Sequence, residues 1–233
     1  MATVSYIDTH QLTRSPLEVQ VLEVESPTLF WVKLKNGEGE LNELLRYLTL
    51  RMTRIGKNLT LAPDCVEVGT LVAVKEKGRW QRGIVTEVTS HTDVTIHLRD
   101  WGRKIHRRKF DCCRLEERFM EQPWQAVPCG IHGVKPTDPS GWTERDIALV
   151  RLLIEKQWGR ISIRRACWGE FAEVDFSIRK KGDLLIRNLA NILESAGAAY
   201  KSTGVMINYK LGLNNVEQKP TMRRIRFPSQ IKI

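Results

Sequence analysis

The residues of this 233-residue chain best suited to chemistry are charged and aromatic rather than nucleophilic. In Asp100-Trp101-Gly102-Arg103 one large ring stands in a turn, with Arg99 just before it. A ring so placed can hold a cation over its face, a contact of ~0.5–2 kcal/mol. The arginines beside it can hold phosphate. The run from Arg103 to Lys109 is the densest in positive charge. Arg99, Arg103, Lys104, Arg107, Arg108 and Lys109 therefore form a candidate strip for RNA. The plainer account is an edge strand kept soluble by its charge. That account is preferred because binders of single strands add a row of stacking rings, and only Trp101 is close by. In "EFAEVDFSI" the period-2 alternation puts Glu173 and Asp175 on one face. Two carboxylates together can take the fork of an unmethylated arginine; the plainer account, which is preferred, is surface charge.

Catalysis finds little support. Phosphodiester chemistry needs clustered carboxylates for Ca²⁺ with arginines opposite, and that spacing is absent. The five cysteines include no C-x-x-C pair, and adjacent Cys112 and Cys113 cannot easily share a metal. No metal or cofactor is expected. The odd cysteine count suits a reducing compartment. The first twelve residues are too polar for a leader, and no run is long enough to span a bilayer. A net charge of +10 and a pI near 9.6 favour acidic partners, whether nucleic acid or protein.

The elements that must position these residues follow from periodicity. "LEVQVLEVESPTLFWVKL" reads as two strands split at Ser26-Pro27. Leu41, Leu44, Leu45, Leu48, Met52 and Ile55 recur at helical spacing, with Gly56 as a stop. About four short strands follow between Gly69 and Lys109, a pattern of small barrels. "DCCRLEERFM" reads as a short helix. A strand at "WQAVPCGIHGV", a helix capped by Thr143 with Asp146, two strands and a helix with Leu185, Leu189, Ile192, Leu193 and Ala196 as its stripe complete the order.

The run "GTLVAVKEKGRWQRGIV" and the later "VTIHLRDWGR" resemble the core of a Tudor domain. "SPTLFWVKL" and its helix, "PWQAVPCGI" and "LESAGAA" resemble the staphylococcal-nuclease-like half of an extended Tudor domain of the germline piRNA pathway. The resemblance implies a mixed, β-rich α+β fold: an SH3-like Tudor barrel at 63–119, inserted in a discontinuous OB-like body at 17–62 and 120–202. Residues 1–16 are then a lead-in and 203–233 a basic tail or linker. It further implies a non-catalytic module of the cytoplasm and perinuclear germline granules (nuage), binding arginine-rich tails of PIWI-family Argonautes, with no membrane contact.

In such domains dimethylarginine sits in a cage of about four rings beside an Asn. Here the corresponding positions hold Lys75, Gln81, Leu98, Trp101 and, for the Asn, Arg103. One ring remains, so a partner tail is expected to bind without need of methylation, with Asp100, Glu173 and Asp175 as further peptide contacts. The alternatives are an RNA-binding module or a self-association domain. RNA binding is expected to be weak and non-specific, because it would rest on counterion release. Filter binding should lose it between low and physiological salt; retention with sequence preference would reverse the ranking.

Overall fold

The computed structural model describes residues 3–12, 15–167, 170–178 and 187–202. Trp168, Leu185 and the 203–233 tail lie outside the described residues. The chain opens with a hairpin, β1 (Leu17–Ser26) and β2 (Leu29–Leu34). Its alternating Val19, Val21 and Val24, with Phe30 and Val32 opposite, are buried. Two register shifts in β1, after Val21 and after Val24, bend the strand enough to enter a closed barrel.

Helix α1 (Glu38–Ile55) presents Leu41, Leu45, Leu48 and Met52 to Ala73, Cys113, Leu115 and Phe119. Each such side chain contributes about 1.5–3 kcal/mol on burial, so the stripe anchors the helix to a curled five-stranded sheet. The strands of that sheet are β3 (Leu71–Glu76), β4 (Arg79–Val88), β5 (Asp93–Leu98), β6 (Arg103–Arg108) and β7 (Cys113–Arg114). Its order is β6-β5-β4-β3-β7, around a core that includes Val72, Val74, Val85, Ile96 and Leu98. The short helix expected at 111–120 is replaced by β7 and a 3-10 turn, Glu117–Phe119. Cys112 belongs to the barrel core and Cys113 to the layer beneath α1. Adjacent residues on a strand point to opposite faces, so this pair can fill two cores at once.

The remaining elements are β8 (Ala126–Ile131), β9 (Val134–Pro136), α2 (Glu144–Ile154), β10 (Trp158–Cys167), β11 (Phe171–Ile178), β12 (Arg187–Asn188), α3 (Leu189–Ser195) and β13 (Ala199–Lys201). Helix α2 starts with the expected capping box: Thr143 Oγ1 accepts from the Asp146 N–H at 3.3 Å, and Asp146 Oδ2 from the Thr143 N–H at 3.0 Å. In α3 Leu189 and Leu193 are buried, whereas Ala196 is exposed beyond the helix end. Strands β10, β1, β2, β8 and β11 pair in that order, and β10 pairs again with β11, closing a ring. All pairs are antiparallel except β8 with β11. A closed five-stranded ring with one parallel pair is the OB-like arrangement. Because β2 and β8 are neighbours in that ring, α1 and the small barrel are an insertion within it.

One buried ion pair joins the insertion to its host. Arg82 on β4 is fully buried, and so is Asp100 after β5. Arg82 Nε donates to Asp100 Oδ2 at 2.7 Å and Nη2 to Oδ1 at 2.9 Å. Its other donors reach the carbonyls of Phe119 at 2.8 Å, Gln122 at 2.6 Å and Pro123 at 2.6 Å. The guanidinium also lies over the Trp124 ring at 4.9 Å. Asp100 Oδ1 accepts in addition from the Gln125 N–H at 3.0 Å. Breaking a buried pair from one side leaves an uncompensated charge, at a cost of ~3–5 kcal/mol. Asp100→Ala should therefore lower stability by that amount in denaturant unfolding. A loss under ~1 kcal/mol would mean that the pair is no more than a surface bridge.

Candidate functional site

Two hairpin ends carry the residues singled out by the motifs. In the β3–β4 hairpin Val74 lies opposite Gln81, Lys75 opposite Trp80 and Glu76 opposite Arg79. Lys77 and Gly78 both have positive φ, 46° and 82°, as the two-residue turn favoured in hairpins requires. In the β5–β6 hairpin Leu98 lies opposite Arg103, so Arg99, Asp100, Trp101 and Gly102 form the turn. The Trp101 N–H donates to Leu98 O at 2.9 Å, tightening it. Gly102 has a φ of 70°, and a Cβ there would lie 2.1 Å from Trp31 Cγ. Backbone conformation and contact with β2 both demand glycine.

Trp101 is half-buried rather than a free turn tip, and packs against the barrel core, the α1 layer and the Trp31 cluster. Its Nε1–H donates to Gln81 Oε1 at 2.8 Å. Gln81 is buried, Leu98 is fully buried in the barrel, and Lys75 is exposed. Arg103 is ion-paired through Nη2 with Glu76 Oε2. The two hairpin ends are thus bridged by a neutral hydrogen bond and by an ion pair.

Other expected contacts fall elsewhere. Asp100, expected to face a peptide, is sealed in the pair with Arg82. Arg99, expected to face RNA, is 5% exposed beneath the Tyr6 ring, 4.9 Å away. Burial lowers its pKa to about 10, which the charge of Glu170 opposes. Lys104 is exposed and 3.7 Å from Glu25. Arg107 is half-buried and donates to His106 O at 2.7 Å; Arg108 is exposed and Lys109 half-buried. β6 is the sheet edge, with Ile105 facing in. The basic strip is therefore shorter than its sequence suggests.

Glu173 and Asp175 hold arginines, but the chain's own. Glu173 is buried and pairs with Arg165 and with His132 Nδ1 at 2.9 Å. Asp175 pairs with Arg164 at 2.5 Å. Glu173 is thus an interior group and not the surface charge expected of it. Among the described residues no cluster of His, Cys, Asp or Glu fits a metal ion, and no helix is long and apolar enough to cross a membrane.

Sequence reasoning missed Glu76 and His97. Glu76 does carry a signal: it is the acidic residue nearest the tip of a hairpin otherwise rich in Lys and Arg. His97 sits edge-on to Trp31, ring centroids 4.9 Å apart, between the two barrels. Its alternation with Ile96 and Leu98 only marks it as outward-facing.

A β-barrel inserted in an OB-like ring, with its candidate residues at two hairpin tips and no catalytic cluster among the described residues, defines a binding module built of two barrels. The Tudor domain family model matches residues 12–133, more than half of the chain, which therefore belongs to that non-catalytic family. The Tudor and KH domain-containing protein homolog of Drosophila melanogaster is 28% identical over 172 residues, 66% of this chain and 29% of that protein. RING finger protein 17 of Mus musculus is 27% identical over 129 residues, 55% of this chain and 8% of that protein. The chain thus spans under a third of these relatives. The extended Tudor domain of human TDRD1, solved with a symmetrically dimethylated peptide, superposes with a TM-score of 0.73 at 19% identity, covering 86% of this chain and 96% of that one. The Drosophila melanogaster Papi extended Tudor domain, solved as a mutant with an unmethylated Piwi N-terminal peptide, gives 0.68 at 22%, covering 80% and 99%. These likenesses establish the extended Tudor fold.

The seam should be sensitive to acid. Burial lowers the His97 pKa from 6.5 to about 4, ahead of repulsion from Lys104. The unfolded chain then takes up a proton that the folded chain refuses. Stability from this group is full above pH 6.5 and declines as pH falls to about 4. The loss amounts to at most ~3 kcal/mol. Urea unfolding at several pH values should show the decline, and His97→Phe should flatten it in that window. An unchanged slope in the variant would assign the decline to other groups.

Proposed function

We propose that this domain binds arginine-rich N-terminal tails of PIWI-family Argonautes, or an equivalent piRNA-pathway partner, without requiring arginine methylation. The observation that carries this is the hydrogen bond between Trp101 Nε1 and Gln81 Oε1. At the positions where the family places stacked rings, this chain has one ring and its polar partner. Methyl groups on a guanidinium gain from aromatic faces and lose hydrogen-bond donors. With Gln81, Leu98 and Arg103 in place of a ring cage, the first gain is small and the second loss remains.

The solved neighbours support a peptide ligand of this kind, since human TDRD1 was solved with a dimethylated peptide and Papi with an unmethylated Piwi peptide. Location in perinuclear germline granules follows from the same reading. RNA remains a minor ligand, because Arg99 is buried and both Arg103 and Lys104 have acidic neighbours.

Matched peptides from an Argonaute tail, unmethylated and symmetrically dimethylated, should titrate with affinities within about threefold of each other by calorimetry. A tenfold preference for the methylated form, ~1.4 kcal/mol, would require an aromatic cage that these residues do not build.

A further inference from the structure

The geometry points to a guanidinium site that the chain fills with its own arginine: Glu76 is the carboxylate that receives a partner's unmethylated arginine, and Arg103 is the resident that must leave. This rests on the reading of the domain as a binder of arginine-rich tails. Glu76 stands at the end of β3 and Arg103 at the start of β6, one at each hairpin tip. The Glu76 side chain is only 10% exposed and that of Arg103 30%. A carboxylate so sheltered needs a cation, and the resident supplies one.

The resident fits poorly. One guanidinium nitrogen, Nη2, meets one carboxylate oxygen, Oε2. Arg103 Nε is buried with no acceptor among the described residues. A buried donor left unsatisfied costs about 1–3 kcal/mol, and a one-point pair forgoes the two parallel bonds that make arginine–carboxylate contacts strong. By contrast, Arg82 places each of its five donors on an acceptor. The same chain thus holds one arginine that is fully bonded and one that is not. Arg103 is fixed at its Cα by the Leu98 register and cannot slide to improve its angle. An arginine on a free peptide has no such tether, and can meet Glu76 with both prongs.

Arg103 therefore acts as a competitor built into the site. A partly exposed pair is worth up to about 1 kcal/mol, so self-occupancy reduces affinity by up to about fivefold rather than blocking it. The device also selects by chemistry. Symmetric dimethylation leaves the charge but blocks two-pronged hydrogen bonding. A dimethylated arginine thus has no advantage over Arg103 at Glu76, whereas an unmethylated one has.

The test uses the full chain and a short glycine-flanked peptide with one arginine, unmethylated or symmetrically dimethylated. Arg103→Gln should tighten binding of the unmethylated peptide about fivefold and leave the dimethylated one unchanged. Glu76→Gln should weaken the unmethylated peptide about tenfold and cancel the gain in the double variant. Should Arg103→Gln impair folding, NMR of the wild-type Arg103 Nε–H decides: the unmethylated peptide should shift it, and a lysine-for-arginine peptide should not. Unchanged or weaker binding in a folded Arg103→Gln, or an Nε–H indifferent to peptide, overturns the proposal. If the unmethylated peptide binds wild type and Glu76→Gln alike, the tail-binding function stands and the self-filled site is wrong. If no arginine peptide binds either protein, both fail together.

Discussion

The Arg82–Asp100 pair is the constraint on which the rest of the molecule hangs. Moving such ions out of water costs several kcal/mol each even after relaxation. Here the cost is met by full coordination: both carboxylate oxygens are bonded, and the guanidinium reaches three carbonyls of the segment leading to β8. The pair thus does three things at once. It sets the β5–β6 turn, braces it against β4, and fixes where the chain re-enters the OB-like ring. Hydrophobic burial is non-directional and could not specify that angle.

With Asp100 drawn inward, its neighbours have no freedom left. Gly102 is pressed on Trp31, Trp101 is turned between three packed clusters, and Arg99 is driven under Tyr6. Residues 3–12, nominally a lead-in, join the seam: Val4 is buried, Tyr6 bridges to Trp124, and Thr9 Oγ1 donates to Phe171 O at 3.3 Å. The two barrels are therefore held by a contiguous interface. The hairpin tips that face a ligand are positioned by contacts made on its far side.

The fold is legible in the sequence because its signals are local. Alternation marks β1, β2, β5 and β11, helical spacing marks α1, and Thr143 with Asp146 marks the start of α2. The 111–120 segment misleads because β7 is two residues long and exists only through its partners, Thr60 and Ala73. The site is less legible for a related reason. Sequence spacing tells which face a residue shares, and not what waits across it. Glu173 reads as exposed because its partners Arg165 and His132 come from other parts of the chain. Asp100 reads as available because Arg82 lies eighteen positions away in sequence. Motifs name the Arg and the Asp without revealing that each is the other's ligand.

The formal charge of +10 is a similar case of a total that conceals its distribution. Among the described residues, several arginines are engaged by carboxylates, and the pairing is graded by burial. Arg82 is buried and fully bonded, so it is structural. Arg164 is well exposed beside Asp175 and adds little, as exposed pairs do. Arg103 lies between these limits: sheltered enough to matter, yet bonded through one point. An intermediate of that kind is where a competing arginine can gain most, since its own pairing replaces a weak bond rather than a strong one. The difference between a cage of rings and this site is then one of acceptors. Rings reward methylation because they offer no hydrogen bonds to lose, whereas a carboxylate rewards the bare guanidinium because it counts donors.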